Sequence, residues 1–397
     1  MCGARALHGE VVAIVAAGAV TPLGADLDAF WSGLVTGADG ISAIERFPVA
    51  DLRVGRGGEI KKLPHPRRPG RLPACRASRL LLGAADDLCA RAVLDVDPAR
   101  LGVVVGTALG GVEELEHALG GDRTPRRAAA ALYDSPGRAL ARYLGADGPV
   151  ITVSTACASG ATAIGVGADL LLDDRADLVV AGGYDGLCRF VMRGFDALRS
   201  LTRDCVRPFD RRRSGLLLGE GAGLVLLARD AAWRGPRLGR LLGHASTSDG
   251  SHIAAPDPTG RGLETAVTRA LRAAGLPPAS VDFVSAHGTG TPLNDRIESG
   301  VLRRVLGARA EAIPVNSIKG SMGHTMGAAA ALEAVMCLLA SRHSLIPPTL
   351  GYEEADPECG LDYVPAVPRP ARARVSLSTS LGFGGCNAAL VLEGAAA

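Results

Sequence analysis

Short apolar strands and small-residue helices alternate along this chain in two successive series, and that alternation confines it to an α/β architecture with buried sheets. In the first series, residues 11–15, 101–105, 151–153, 178–181 and 223–228 read as strands, and 26–34, 77–92 and 158–172 as helices. After Gly235-Pro236 the pattern restarts with strand 238–244, helix 262–274, strand 281–285, helix 327–340 and closing strands 374–379 and 388–392. This predicts two similar halves, 1–236 and 237–397, matched in element order only and each built on a mostly parallel sheet. Helix 158–172 is small and apolar throughout, which suits a position between sheets. Residues 48–72, rich in Gly, Pro and Arg, read as an exposed excursion.

A chain of 397 residues with 47% hydrophobic and 21% charged side chains buries a large core. Its net charge of +2 gives no general attraction to nucleic acid or to a membrane, so any basic docking site must be local. The apolar runs 11–20 and 327–340 are too short for a span or carry Glu333, and the first residues lack a signal-peptide pattern. The cysteines are nine, an odd number, scattered and without a Cys-x-x-Cys pair, which predicts a reducing cytoplasm and neither a disulfide scaffold nor a zinc ribbon.

The chemistry concentrates on one thiol and two imidazoles. Cys157 lies where a β-branched run gives way to a small-residue helix, in Thr155-Ala156-Cys157-Ala158-Ser159-Gly160. A thiol at a helix N-terminus is expected to ionise more readily, and small flanks admit a bulky thioester. His287 follows strand 281–285, at the end of a strand where α/β sheets place ligands. His324 lies in a glycine-rich turn before helix 327–340. Neutral imidazoles can donate to an enolate oxygen formed as CO2 leaves a malonyl thioester, while the amides of Cys157 and of Gly382-Phe383-Gly384-Gly385 serve the acyl carbonyl. Of the chain's basic residues only Lys61, Lys62 and Lys319 are lysines, so a lysine kept five residues before His324 suggests a need for a compact ammonium.

These segments resemble the β-ketoacyl-acyl-carrier-protein synthases of the thiolase superfamily, close to the elongating type II enzymes. The resemblance rests on the Cys157 motif, Arg207-Pro208-Phe209-Asp210, Gly219-Glu220-Gly221-Ala222-Gly223, Ala286-His287-Gly288-Thr289-Gly290-Thr291, Asn316-Ser317-Ile318-Lys319-Gly320 through His324, and Gly382-Phe383-Gly384-Gly385-Cys386-Asn387, in that order. It implies a layered α-β-α-β-α sandwich of two similar halves with mixed sheets. It also implies Cys157 as acyl acceptor, with His287 and His324 in decarboxylation and condensation. Lys319 would orient His324 and pair with Glu333, which would border the substrate. Phe383 would gate the thiol, Thr289 and Thr291 would bond the phosphopantetheine arm, and Asp295 and Glu298 form the acidic pair that follows. Leu109 would limit acyl length across a dimer contact. No resident cofactor or metal is implied, since the arm arrives on an acyl carrier protein. Arg126, Arg127 and Arg199, with Lys61 and Lys62, are the candidates for docking that acidic carrier. The chain would act as a homodimer, or as a heterodimer with a second ketosynthase-like subunit.

The chain departs from the family pattern in three places. Val15-Ala16 replaces a Thr-Gly pair, Ser214-Gly215-Leu216 replaces Asp-Gly-Phe, and Cys386 replaces Thr. Other readings fare worse. The glycines at 219–223 precede a strand, whereas a dinucleotide fingerprint follows one. A zinc site from Cys157, His287 and His324 would lack any local ligand pair. A chain-length subunit would lack the cysteine, and a coenzyme A thiolase would use a Cys-His-Cys set. The active half of a heterodimer stays open, as does the choice between fatty acid and polyketide elongation.

Overall fold

The computed structural model describes residues 11–67 and 75–395. Eleven strands form one sheet: β1 (Val12–Val20), β2 (Leu101–Gly106), β3 (Val150–Val153), β4 (Leu178–Asp185), β5 (Gly221–Arg229), β6 (Gly239–Ser248), β7 (Phe283–Ser285), β8 (Pro314–Asn316), β9 (Asp362–Tyr363), β10 (Val375–Gly382) and β11 (Cys386–Gly394). Their spatial order is β9-β8-β7-β10-β11-β6-β1-β5-β4-β2-β3.

The order contains a repeat that residue identities hide. With the edge strand β9 left out, each half has five strands, and numbered in chain order both are arranged third, second, fourth, fifth, first. The pairing senses also agree. The third-second and second-fourth pairs are parallel, and the fourth-fifth and fifth-first pairs antiparallel, in both halves. The expectation of two mostly parallel sheets is therefore corrected: half of these pairings are antiparallel, and the halves join into one sheet. The junction is short, β1 meeting β6 only at Val12, Ala13 and Ile14.

Two central helices fill the space between the halves, α1 (Ser159–Leu172) after β3 and α2 (Ala329–His343) after β8. Each touches strands of both halves and the other helix. Every residue from Ala329 to Ala340 is buried, which small side chains permit. Close approach is also built in at Gly106, where an added Cβ would lie 2.1 Å from the Ser159 carbonyl oxygen. Strand β1 runs five residues past the expected end, to Val20. The expected excursion at 48–72 is half wrong within the described residues. Arg56–Gly57 pairs with Ser42–Ala43, and Val54, Glu59, Ile60 and Leu63 are buried, because this segment caps the first half. Residues 68–72 of that expectation lie outside the described residues. No described helix is long and apolar enough to cross a membrane.

Gly106→Ala is expected to destabilise the fold by about 1–3 kcal/mol, because the clash is with backbone and cannot be relieved by a rotamer. An unchanged melting temperature in a thermal melt would contradict this packing.

Candidate active site

Cys157 is reached through a strained turn. Ala156, just before it, has a φ of 50°, in the left-handed region that costs a non-glycine residue about 1 kcal/mol. Ser159 holds this turn, its Oγ accepting from the Thr155 amide at 2.9 Å and donating to the Ala156 carbonyl at 2.5 Å. Gly382 lies against the same turn, and a Cβ there would stand 2.8 Å from the Thr155 carbonyl and 3.1 Å from the Cys157 nitrogen. The turn thus presents Cys157, 6% exposed, beneath the end of β10.

Equivalent connections in the second half supply the other groups. The segment between β8 and α2 carries Lys319 and His324, as that between β3 and α1 carries Cys157. The backbone of His324 is pinned on both sides, its amide donating to Leu217 O at 2.7 Å and its carbonyl accepting from Gly219 at 2.9 Å. His287 follows β7, held by two buried carboxylates. Glu298 accepts from the amides of His287 (2.7 Å) and Gly288 (2.8 Å) and from Thr379 Oγ1 (2.7 Å). Asp295 accepts from the amides of Thr289 and Gly290 and from that of Phe209, the last at 2.7 Å. Asp295 and Glu298 therefore shape the loop and do not face the cavity. Burial pushes Glu298 up to about 7 despite its donors.

The three groups line one cavity of about 440 Å³, together with Thr289, Thr291, Phe383 and Arg199. The rings of His287 and His324 stand 5.2 Å apart, edge to face at 87°. Thr289 and Thr291 bond each other through their hydroxyls at 2.9 Å. Phe383 stacks on Phe195 at 5.3 Å, a wall residue that carried no sequence signal beyond its aromaticity.

The structure revises several expectations. Lys319 bonds His287, not His324: its Nζ is 3.4 Å from Nδ1 and also donates to the His287 carbonyl. Its charge still reaches both rings. Burial, first, and then the Lys319 charge hold both imidazoles well below their usual value, with His324 adding to the effect on His287. Glu333 does not border the substrate. It is fully buried on α2, 2.5 Å from Lys319 Nζ, and fixes that ammonium in place. Burial pushes the Glu333 carboxyl up and the ammonium pulls it back.

Cys157 is likewise not a ready thiolate. Burial pushes its thiol up to about 12, outweighing the Lys319 charge and the hydrogen bond from the Phe383 amide. The helix start does not decide the matter, because burial takes the sulfur out of bulk water.

Leu109 does not line the cavity; it packs on the apolar cluster of Leu201, Leu216 and Met326. Its loop is tied down by Asp185, which sequence reading missed. That fully buried carboxylate accepts from Thr107 Oγ1, the amides of Ala108 and Leu109, and the Gly327 amide, joining the loop to the segment after His324. A carboxylate closing the apolar run of β4 was the available signal.

Arg126 and Arg127 sit on the short helix Pro125–Ala130, away from the cavity lining. Arg127 is spent on Glu114 at 2.7 Å and on Asp122. Lys61 is similarly engaged with Glu59 and Glu45, whereas Lys62 is exposed. Of the expected docking residues only Arg199 reaches the cavity. No group of three or more His, Cys, Asp or Glu among the described residues is arranged to hold a metal ion.

The family described as "Beta-ketoacyl synthase, N-terminal domain" matches residues 9–232, and "Beta-ketoacyl synthase, C-terminal domain" matches residues 238–353. The chain is 35% identical to the 3-oxoacyl-[acyl-carrier-protein] synthase 2 of Synechocystis over 98% of its own length and 99% of that protein's. It is 38% identical to the tetracenomycin polyketide synthase ketoacyl synthase alpha subunit of Streptomyces glaucescens, over 96% of each. Among solved structures it resembles a chain of the ishigamide ketosynthase/chain length factor with a TM-score of 0.92 and 31% identity, over 97% of this chain and 99% of that one.

The raised thiol makes a direct prediction. The rate of alkylation of Cys157 by iodoacetamide in the resting protein should climb about tenfold per pH unit from pH 7 to pH 10, following the thiolate fraction. A plateau beginning near pH 7 would show a depressed thiol instead.

Proposed function

The chain belongs to the β-ketoacyl synthase family, and from that membership we propose that Cys157, His287, His324 and Lys319 carry its condensation chemistry on substrates borne by an acyl carrier protein. In the first stage the Cys157 sulfur attacks an acyl thioester on the carrier. The thiol proton leaves to a cavity imidazole as the C–S bond forms, and the imidazolium then gives it to the sulfur of the carrier's arm, which departs as its thiol and leaves the ring neutral. The Phe383 amide, which donates to the resting sulfur, and the Cys157 amide are the donors placed for the acyl oxyanion.

In the second stage a malonyl-carrier thioester enters. With Lys319 donating to Nδ1 of His287, the neutral ring carries its proton on Nε2 and can donate to the thioester oxygen. Both ring nitrogens of His324 are buried without a partner among the described residues, so a donor there is left for substrate. Two neutral donors stabilise the enolate as CO2 leaves, and its carbon attacks the acyl carbon on Cys157. The C–S bond breaks, giving a β-ketoacyl-carrier product and a Cys157 thiolate that takes a proton from solvent to restore the resting thiol. Thr289 and Thr291 flank the arm and Phe383 closes over the thiol. The proposed reaction asks for no resident cofactor, and a substrate borne on an acyl carrier protein supports a cytoplasmic location.

The observation carrying this reading is that one buried thiol and two buried imidazoles, in edge-to-face array, line a single cavity. The likeness to an alpha subunit and to a ketosynthase/chain length factor pair supports working beside a second ketosynthase-like subunit in polyketide assembly. Fatty acid elongation by a homodimer is the second reading, favoured by the likeness to a 3-oxoacyl synthase.

Cys157→Gln is expected to release CO2 from malonyl-carrier protein without making β-ketoacyl product, because the imidazoles remain; absence of CO2 release would count against the assigned roles. His324→Ala should slow that release by about 10²–10³, the usual loss on removing one oxyanion donor. A change under threefold, measured with labelled malonyl substrate, would remove His324 from the decarboxylation step.

A further inference from the structure

The catalytic cavity has a second charged feature, at its outer end. Cys157, His287 and His324 are buried, whereas Arg199 and His252, which line the same cavity, are exposed. They therefore mark its rim. No aspartate or glutamate is among the lining residues, and Arg199 makes no ion pair among the described residues. Ser214 also lines this wall and bonds Thr202 Oγ1 at 2.7 Å. The chain thus presents a cation at the rim with no carboxylate among the lining residues to oppose it.

Both rim groups are held for this display. Arg199 has a φ of 54° just past the helix Arg189–Ala197, a terminating position that glycine usually fills. His252 accepts at Nδ1 from the amides of Ala254 and Ala255, each at 3.0 Å. That leaves the ring hydrogen on Nε2 as a donor. The loop bearing it is anchored to the gate, the Gly384 amide donating to the Ile253 carbonyl at 2.9 Å.

We infer that Arg199 and His252 form a phosphodiester-binding subsite at the cavity rim, which holds the phosphate of the arm that brings both acyl groups. A planar guanidinium and an imidazole N–H match two oxygens of a phosphate, and an anion is what an uncompensated rim cation selects. This rests on the synthase reading above and names the substrate group read at the mouth. It also reassigns Arg199, from contact with the carrier's surface to contact with the arm.

Acyl transfer to Cys157, followed by intact-protein mass, tests it with three donors: an acyl-pantetheine, an acyl-4′-phosphopantetheine and the acyl-carrier protein. The wild-type protein should half-saturate at about tenfold lower concentration with the phosphorylated small donor than with the unphosphorylated one, the gain expected of one charge-assisted contact. In Arg199→Gln that preference should collapse to about one, and Arg199→Lys should restore part of it. His252→Gln, which keeps a donor, should retain more of the preference than His252→Ala. No preference in the wild-type protein, or an equal effect of Arg199→Gln on both small donors, would overturn the subsite. An effect of Arg199→Gln on the carrier-bound donor alone would assign Arg199 to the carrier's surface and overturn it too. If none of the three donors acylates Cys157, the synthase reading fails and the subsite with it.

Discussion

One buried ammonium organises the chemistry of this protein. Lys319 is 1% exposed, sits 2.5 Å from the carboxylate of Glu333, and points its remaining hydrogens at the ring and carbonyl of His287. Taking such a charge from water is costly, and a pair of this kind is tolerated only when its partner and its hydrogen bonds are all in place. The return is electrostatic. Burial, first, and then this fixed positive charge keep both imidazoles neutral, so that each can donate to a developing oxyanion. The same charge is the main influence drawing the thiol of Cys157 down, but burial prevails and the sulfur rests protonated. The site is thus poised as neutral partners that become charged only during reaction.

The fold delivers these groups through its repeat. The connection from third strand to central helix carries the thiol in one half and the Lys319–His324 segment in the other. The short β1–β6 junction and the two central helices bring those connections face to face. Buried carboxylates then fix the loops. Asp295 and Glu298 hold the His287 loop from below, and Asp185 ties the 107–109 loop to Gly327. Each meets backbone amides that would otherwise be buried without acceptors.

Much of this was legible in the chain. The alternation of strands and helices gave the two halves, and the thiol, the two histidines and the lone lysine of their segment gave the site. What could not be read was which groups meet. Sequence distance placed Lys319 nearer His324, but the turn at 319–324 carries the ammonium toward the His287 loop instead. A thiol at a helix start implied easy ionisation, yet the degree of burial, a property of the assembled sheets, reversed it. Arg126 and Arg127 looked like a docking pair because Glu114, the partner of Arg127, lies on a neighbouring helix that the sequence does not bring beside it. Asp185 and Glu333 are carboxylates in apolar runs whose partners come from distant segments. Such residues can be flagged from sequence, but their roles follow only from the packing.

The chemistry of the site therefore depends on the charge state of two rings. Nitrogen-15 NMR of the protein labelled at histidine, read from pH 5.5 to pH 8, measures it directly, with His287→Ala and His324→Ala used to assign the two signals. Both rings should keep the shifts of neutral imidazole down to pH 5.5, where an ordinary histidine is mostly protonated. A titration of either ring with a midpoint at or above 6.5 would contradict the role assigned to the Lys319 charge.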